Sequence, residues 1–331
     1  MKKLLVVGYG FVTKCFIDRY KHIYKIDIVS ERSDITDPDI GNTYCKVEDL
    51  KNMQIQYDVV VIAAYKKTYT ENINLIDYIY RAIRTKAIIY VGSAAIYDIE
   101  NTHTTELSGG SKINVLYGNI KKKLDSCVKN YCLKSKIPTV ILNPSVITGR
   151  GGAWFKSINH QLRYKEIQLP NNGKSEIKVI SVNDFALVLK IIIDSEIKNK
   201  YYEEYIVTSD VHITWYDLYS RHAVDKGCQF PNIKELNTRN KFYDNPIKNK
   251  LFYVIYKAPL ILQILFEKLR LALSRVKKNK ETGYIESDEN FKCYIQAGYY
   301  RYFMSANSGY DNEKLKAAYS IKSTDFEGNI L

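Results

Sequence analysis

Leu4-Leu5-Val6-Val7-Gly8-Tyr9-Gly10-Phe11-Val12-Thr13 decides how the rest of the chain is read. Four apolar residues without alternation suit a strand buried on both faces, and the glycines after them permit a tight turn into a helix. The first N–H groups of a helix have no partner within it and carry the positive end of its dipole, so such a turn suits a pyrophosphate. Gly8, Gly10, Phe11 and Val12 are therefore candidate cofactor contacts. A plain strand-to-helix turn would show the same pattern, and Thr13 stands where a third small residue would ease packing of helix on strand.

The next strand, Ile26–Val29, bears on that choice. Glu31 follows it at the distance where an acid can accept hydrogen bonds from the adenosine ribose. Arg32 comes immediately after and can meet a 2′-phosphate instead, so NAD and NADP both stay open. Short runs rich in β-branched residues recur at Val59–Ala64, Ala87–Val91 and Thr139–Leu142. Between the runs, Val12–Tyr24, Asn72–Thr85 and Val115–Lys134 are long and mixed enough for crossover helices. The alternation predicts an α/β fold with a doubly wound parallel sheet of the Rossmann kind.

Ile177–Val182 and Tyr205–Thr208 read as later strands of that sheet, with a helix over Asp184–Asp194 and another opening at Thr214. The rhythm stops near Cys228. Residues 1–152 and 177–210 are therefore expected to form the nucleotide-binding domain. Residues 153–176 and 211–331 would form a smaller, mostly helical substrate lobe.

Composition narrows the class. A chain of 331 residues, 46% of them apolar, can bury a sizeable core. The apolar run after Met1-Lys2-Lys3 ends in glycines at once, so no secretory signal is read, and no run reaches the roughly 18 residues of a membrane span. The 6 cysteines form no CxxC pair and the 5 histidines show no metal spacing, which points to reduced thiols, a cytoplasmic location and no metal. A formal charge of +13 favours anionic partners such as nucleotides. The 29 tyrosines do not interleave with a basic stripe, which argues against nucleic acid.

Tyr117-Gly118-Asn119-Ile120-Lys121 lies on an expected helix, where a spacing of four puts phenol and ammonium on one face. With 29 tyrosines, chance matches to this pattern are common, so position carries the weight. Ser93 precedes it in Tyr90-Val91-Gly92-Ser93-Ala94-Ala95, at a strand end where doubly wound folds bind ligands. A phenol ionises near pH 10, too high for an efficient base at neutrality, and a nearby ammonium lowers that by favouring phenolate. Ser93 can hydrogen-bond the same substrate oxygen.

With these residues in place, the chain resembles the extended short-chain dehydrogenases/reductases, the NAD-dependent epimerase/dehydratase family that works largely on nucleotide sugars. The resemblance implies that Tyr117 is the general acid/base, that Lys121 holds the nicotinamide ribose and that Ser93 completes a triad. It implies that the backbone of Pro144–Val146, in Leu142-Asn143-Pro144-Ser145-Val146, touches the nicotinamide, so Pro144 and Val146 join the candidates. Asp49 and Leu50, in Val47-Glu48-Asp49-Leu50, resemble the loop flanking adenine, and Ala63-Ala64 ends a strand with side chains small enough for a cofactor to pass. Val182-Asn183-Asp184-Phe185-Ala186 and Asn312-Glu313-Lys314-Leu315 resemble later signatures of the family.

Three departures stand out. Asn143 stands where Arg is common, the stretch from Ala64 to Asn72 is short, and Ala94-Ala95 replaces the Asp-Glu pair that sugar 4,6-dehydratases carry. The last of these disfavours dehydration and leaves a 4-keto-sugar reductase or a 4-epimerase. An oxidoreductase of a lipid or sterol-like alcohol, and a non-catalytic NAD(P) sensor or scaffold, are the alternatives. A homodimer stays open. Residues 259–278 place Leu262, Leu265, Phe266, Leu269 and Leu273 at helical spacing beside Lys268, Arg270, Arg275, Lys277 and Lys278. Such a face either packs on the substrate lobe or contacts an anionic membrane surface peripherally.

Overall fold

The N-terminal apolar run forms β1 (Lys3–Val7), and Gly10 caps the helix after it, α1 (Phe11–Tyr20). In this computed structural model the described residues run from 1 to 235, with breaks at 33–34, 36, 51–54, 67, 98–102, 109–115, 196 and 198–200. Residues 265, 304 and 308–327 are described beyond them. Next come β2 (Lys25–Val29), a two-residue strand β3 (Thr43–Tyr44), β4 (Gln56–Ile62), α2 (Tyr69–Ala82) and β5 (Arg84–Val91). Then follow α3 (Leu116–Ser135), β6 (Thr139–Pro144), β7 (Val146–Thr148), α4 (Ala153–Gln161), β8 (Glu166–Leu169) and β9 (Glu176–Ile177). The order closes with β10 (Val179–Ser181), α5 (Val182–Asp194), β11 (Tyr202–Val207), β12 (Ile213–Thr214), α6 (Trp215–Lys226), β13 (Asn232–Glu235) and α7 (Glu313–Tyr319).

Seven strands form one sheet in the order β11-β6-β5-β4-β1-β2-β3, and every pair in it is parallel. Both faces are covered, which is why its strands read as unbroken apolar runs. Phe16 and Ile17 of α1, Phe185 and Leu189 of α5 and Leu315 of α7 pack on Val6, Val61, Ile89 and Leu142. On the opposite face Ile76 and Ile79 of α2 and Leu124 and Val128 of α3 pack on Leu5, Val60, Ile88 and Ile141. Successive strands run outward from β1 in both directions, so a crevice opens past the ends of β1 and β4, where folds of this kind bind ligands.

A third apolar cluster gathers Ile158, Ile167, Ile177, Ile213, Trp215 and Leu218, and Ile96 and Val146, just beyond β5 and β6, join it. The excursion after β7 is tied to the later segment by β8 pairing β13 and β9 pairing β12. Thr214 caps α6 as expected, accepting from Asp217 N–H while the Asp217 carboxylate accepts from Thr214 N–H.

One expected strand is corrected. Ile177–Val182 does not enter the main sheet: it divides into β9 and β10, and β10 pairs β7 in a separate parallel ribbon. Among the described residues the sheet continues past residue 176 only through β11. An apolar run reports burial and leaves the partner unspecified. Of 259–278 only Leu265 is among the described residues, and the helix expected there lies outside them. No helix among the described residues is long and apolar enough to cross a membrane.

Candidate active site

At the end of β1, Gly8 adopts φ +102°, and a Cβ there would lie 2.7 Å from the backbone N of Ala64. Only glycine permits so close a crossing of backbones. Ala63 and Ala64 both donate to the Val7 carbonyl at 2.9 Å, which draws the end of β4 against the turn. A Cβ on Gly10 would meet nothing within 4 Å, so the N-terminus of α1 faces open space. The half-buried Phe11 lies beneath the backbone of Gly149 and Gly152, and Val12 is half-buried on the same turn. Thr13 fits without strain: its buried hydroxyl donates to Gly8 O at 2.7 Å and accepts from Gly10 N–H at 3.0 Å. Uncapped helix N–H groups over an open glycine are what a pyrophosphate needs, so the turn fits a pyridine dinucleotide.

Beyond β2, the Glu31 carboxylate is paired with Lys66 at 2.6 Å, and Arg32 reaches back to the carbonyl of Tyr9 at 3.5 Å. Lys66 was not among the residues the sequence singled out, although it lies two positions beyond Ala64. Asn72 fixes that loop by accepting from Lys66 N–H at 2.9 Å and donating to the carbonyls of Lys66 and Thr68. Asp49 and Leu50 occupy a single 3-10 turn: the Asp49 carboxylate accepts from Lys46 N–H at 2.9 Å, and Leu50 is buried in the core.

Glu31→Ala should weaken NADH relative to NADPH, and Arg32→Ala should do the reverse, since one side chain suits a diol and the other a phosphate. Lys66→Ala removes the ammonium that pairs with the Glu31 carboxylate and should move preference toward NADH. Fluorescence titration of both nucleotides checks this. Unchanged relative affinity in all three variants would remove these side chains from cofactor choice.

Ser93 follows β5 and caps a short turn, Ala94–Ile96, its Oγ accepting from Ala95 N–H at 3.3 Å. Tyr117 and Lys121 stand in the first turns of α3. Gly118 brings helix and turn together, because a Cβ there would lie 2.3 Å from the carbonyl oxygen of Ala95. Lys121 is 5% exposed, and its Nζ donates to Val91 O at 3.3 Å. Three tyrosine rings surround that ammonium: Tyr65 at 4.8 Å, Tyr90 at 5.6 Å and Tyr117 at 6.0 Å. Tyr65 and Tyr117 meet edge to face with centroids 5.7 Å apart, and both stay partly exposed at the mouth.

Burial lowers the Lys121 ammonium to about 8, opposed by the charge of Asp125 one helical turn further on. Burial also pushes the Asp125 carboxyl well above the carboxylate range; Glu204 adds to that, while Lys121 and the Asn143 amide oppose it. Pro144 ends β6, Val146 opens β7, and Ser145 between them donates from its N–H to Val207 O at 2.9 Å. Pro144 and Val146 therefore stand at and just past the end of β6, the strand beside β5, which Ser93 follows. Tyr65 and Asp125 are additions the sequence reading missed, and only Asp125 left a signal, its four-residue spacing from Lys121.

Among the described residues no group of three His, Cys, Asp or Glu side chains is arranged to hold a metal. The family model described as NAD dependent epimerase/dehydratase matches residues 32–207, more than half of the 331-residue chain. The chain belongs to the NAD-dependent epimerase/dehydratase family.

Solved structures agree with the family's fold. A dTDP-glucose 4,6-dehydratase from Bacillus anthracis in complex with NAD is 16% identical, with a TM-score of 0.59 over 72% of this chain and 86% of that one. A UDP-glucose 4-epimerase from Thermotoga maritima with UDP-glucose is 14% identical, with a TM-score of 0.55 over 72% and 87%. A UDP-N-acetylglucosamine 4-epimerase from Methanobrevibacter ruminantium in complex with UDP-N-acetylmuramic acid is 16% identical, with a TM-score of 0.55 over 72% and 86%. No curated protein sequence matches the chain.

Proposed function

We propose that this protein catalyses oxidation and reduction at a secondary alcohol or ketone of a nucleotide-activated sugar, as a 4-keto-sugar reductase or a 4-epimerase. The observation that carries the reading is the buried Lys121 ammonium ringed by tyrosines, with Tyr117 on the helix that abuts the Ser93 turn. A phenol beside a cation can take or give a proton near neutrality. Ser93 Oγ accepts from Ala95, which leaves its O–H to donate to the substrate oxygen that Tyr117 protonates or deprotonates. Bound NAD(P) supplies the acceptor or donor of hydride. Gly8, Gly10 and the first N–H groups of α1 would hold its pyrophosphate, and Lys121 its nicotinamide ribose.

The substrate class is supported by the neighbouring structures, which include a UDP-glucose complex and a UDP-N-acetylmuramic acid complex. Ala94 and Ala95 carry no titratable side chain beside Ser93, which favours chemistry without loss of water. A cytoplasmic site of action suits the scattered cysteines; the five among the described residues form no disulfide. The test is native purification, mass spectrometry of retained cofactor, and incubation with UDP-glucose, UDP-N-acetylglucosamine and a dTDP-4-keto sugar. Retained NAD with NMR-detected inversion at C4 is the epimerase outcome, and stoichiometric consumption of NAD(P)H with the keto sugar is the reductase outcome. Cofactor binding with every sugar unchanged would overturn the proposal in favour of a sensor.

A further inference from the structure

The Ser93 turn is held from behind by side chains that have no part in the chemistry above. Ser93 N–H donates to Asn143 Oδ1 at 2.8 Å, and Asn143 Nδ2 donates to Glu204 Oε1 at 2.9 Å. Asn143 is 0% exposed. The Glu204 carboxylate also accepts from Tyr97 O–H at 2.5 Å and from Tyr202 O–H at 2.9 Å. Strand register explains the meeting: Ile206 of β11 lies opposite Asn143, so Glu204, two residues earlier, projects from the same face and reaches it diagonally. Gly92 makes the room, since a Cβ there would lie 2.0 Å from Asn143 Oδ1.

We propose that Asn143 and Glu204 are positioning residues, forming a buried strut from β11 through β6 that orients Ser93. The inference rests on the proposed function. An amide is the side chain that can accept from a backbone N–H and donate to a carboxylate at once. An arginine at 143 presents donors only, and a leucine would leave the Ser93 N–H without its acceptor and take one of three donors from Glu204, at a cost that grows with burial. Glu204 accepts from three donors and so holds its own place firmly. The strut also fixes Ala95, against which Gly118 packs, so it sets how closely the helix of Tyr117 approaches Ser93.

A double-mutant cycle tests this, with turnover of the nucleotide sugar found active and amide hydrogen exchange of the 91–97 segment as separate readouts. Asn143→Ala is expected to lower kcat about tenfold or more, through misplacement of Ser93, with NAD(P)H affinity unchanged. In the Ser93→Ala background the same change should cost little more, because its effect passes through Ser93. Exchange at Ser93 should quicken. Glu204→Gln keeps the size of the side chain and most of its acceptor role; it should give a smaller loss with the same dependence on Ser93 and serves where Asn143→Ala does not fold. Equal losses in both backgrounds, or unchanged Ser93 exchange in both variants, would overturn the strut alone. Normal turnover in Ser93→Ala would overturn the assignment of Ser93 and this inference with it.

Discussion

Tyr117→Phe is expected to lower turnover on the order of 10²–10⁴-fold while leaving NAD(P)H affinity unchanged, the loss typical of removing a general acid/base. The variant isolates the phenol because the ring keeps its other contacts. Its edge-to-face contact with Tyr65 at 5.7 Å and its place 6.0 Å from the Lys121 ammonium do not involve the hydroxyl. Tyr117 is also 38% exposed, so thermal unfolding should be near that of the parent.

Near-normal turnover in the purified variant would remove Tyr117 from the chemistry, and a matching loss of cofactor affinity would make its role structural. The pH dependence has a definite sign. Burial holds the Lys121 ammonium to about 8, so its charge is present below that pH and lost above it. Turnover of the parent protein should therefore fall on the alkaline side, as the cation that favours phenolate disappears.

Much of this site could be read from local sequence. The turn at Gly8–Thr13 was legible because a strand buried on both faces is one unbroken apolar run and the glycines punctuate it. Tyr117 and Lys121 were legible because helical spacing is local. Thr13 looked like a departure, yet its hydroxyl occupies the turn and satisfies groups of Gly8 and Gly10. What escaped was set by tertiary approach. Lys66 meets Glu31 across 35 residues, from the loops after β4 and β2, and Glu204 meets Asn143 across 61, between neighbouring strands; no periodicity specifies either meeting. Tyr202-Glu203-Glu204-Tyr205 gives no sign of which acid turns inward, because its pattern is the same in either register. Ile177–Val182 failed for the same reason: its apolar character was right and its partner was not legible.

Gly118 carries the last expected effect. In a helix interior alanine is favoured over glycine by roughly 0.5–1 kcal/mol, so Gly118→Ala would ordinarily stabilise α3. Here the new Cβ would lie 2.3 Å from the carbonyl oxygen of Ala95 and 3.2 Å from its carbon, and both are backbone atoms of a turn that cannot rotate aside. The start of α3 must move away by something near 1 Å, a displacement able to cost about 10²-fold in rate when it separates groups that act on one atom. Stability should fall, since a clash with backbone outweighs the propensity gain, and NAD(P)H affinity should fall less than turnover because the Gly8 turn that would hold the pyrophosphate is untouched. Gly10→Ala gives the contrast: its Cβ meets no protein atom within 4 Å, so the fold should tolerate it while the pyrophosphate loses its close approach and affinity falls. Turnover, nucleotide titration and thermal unfolding of the two variants together separate the roles. Full turnover in Gly118→Ala would show that the approach of α3 to the Ser93 turn does not govern the chemistry.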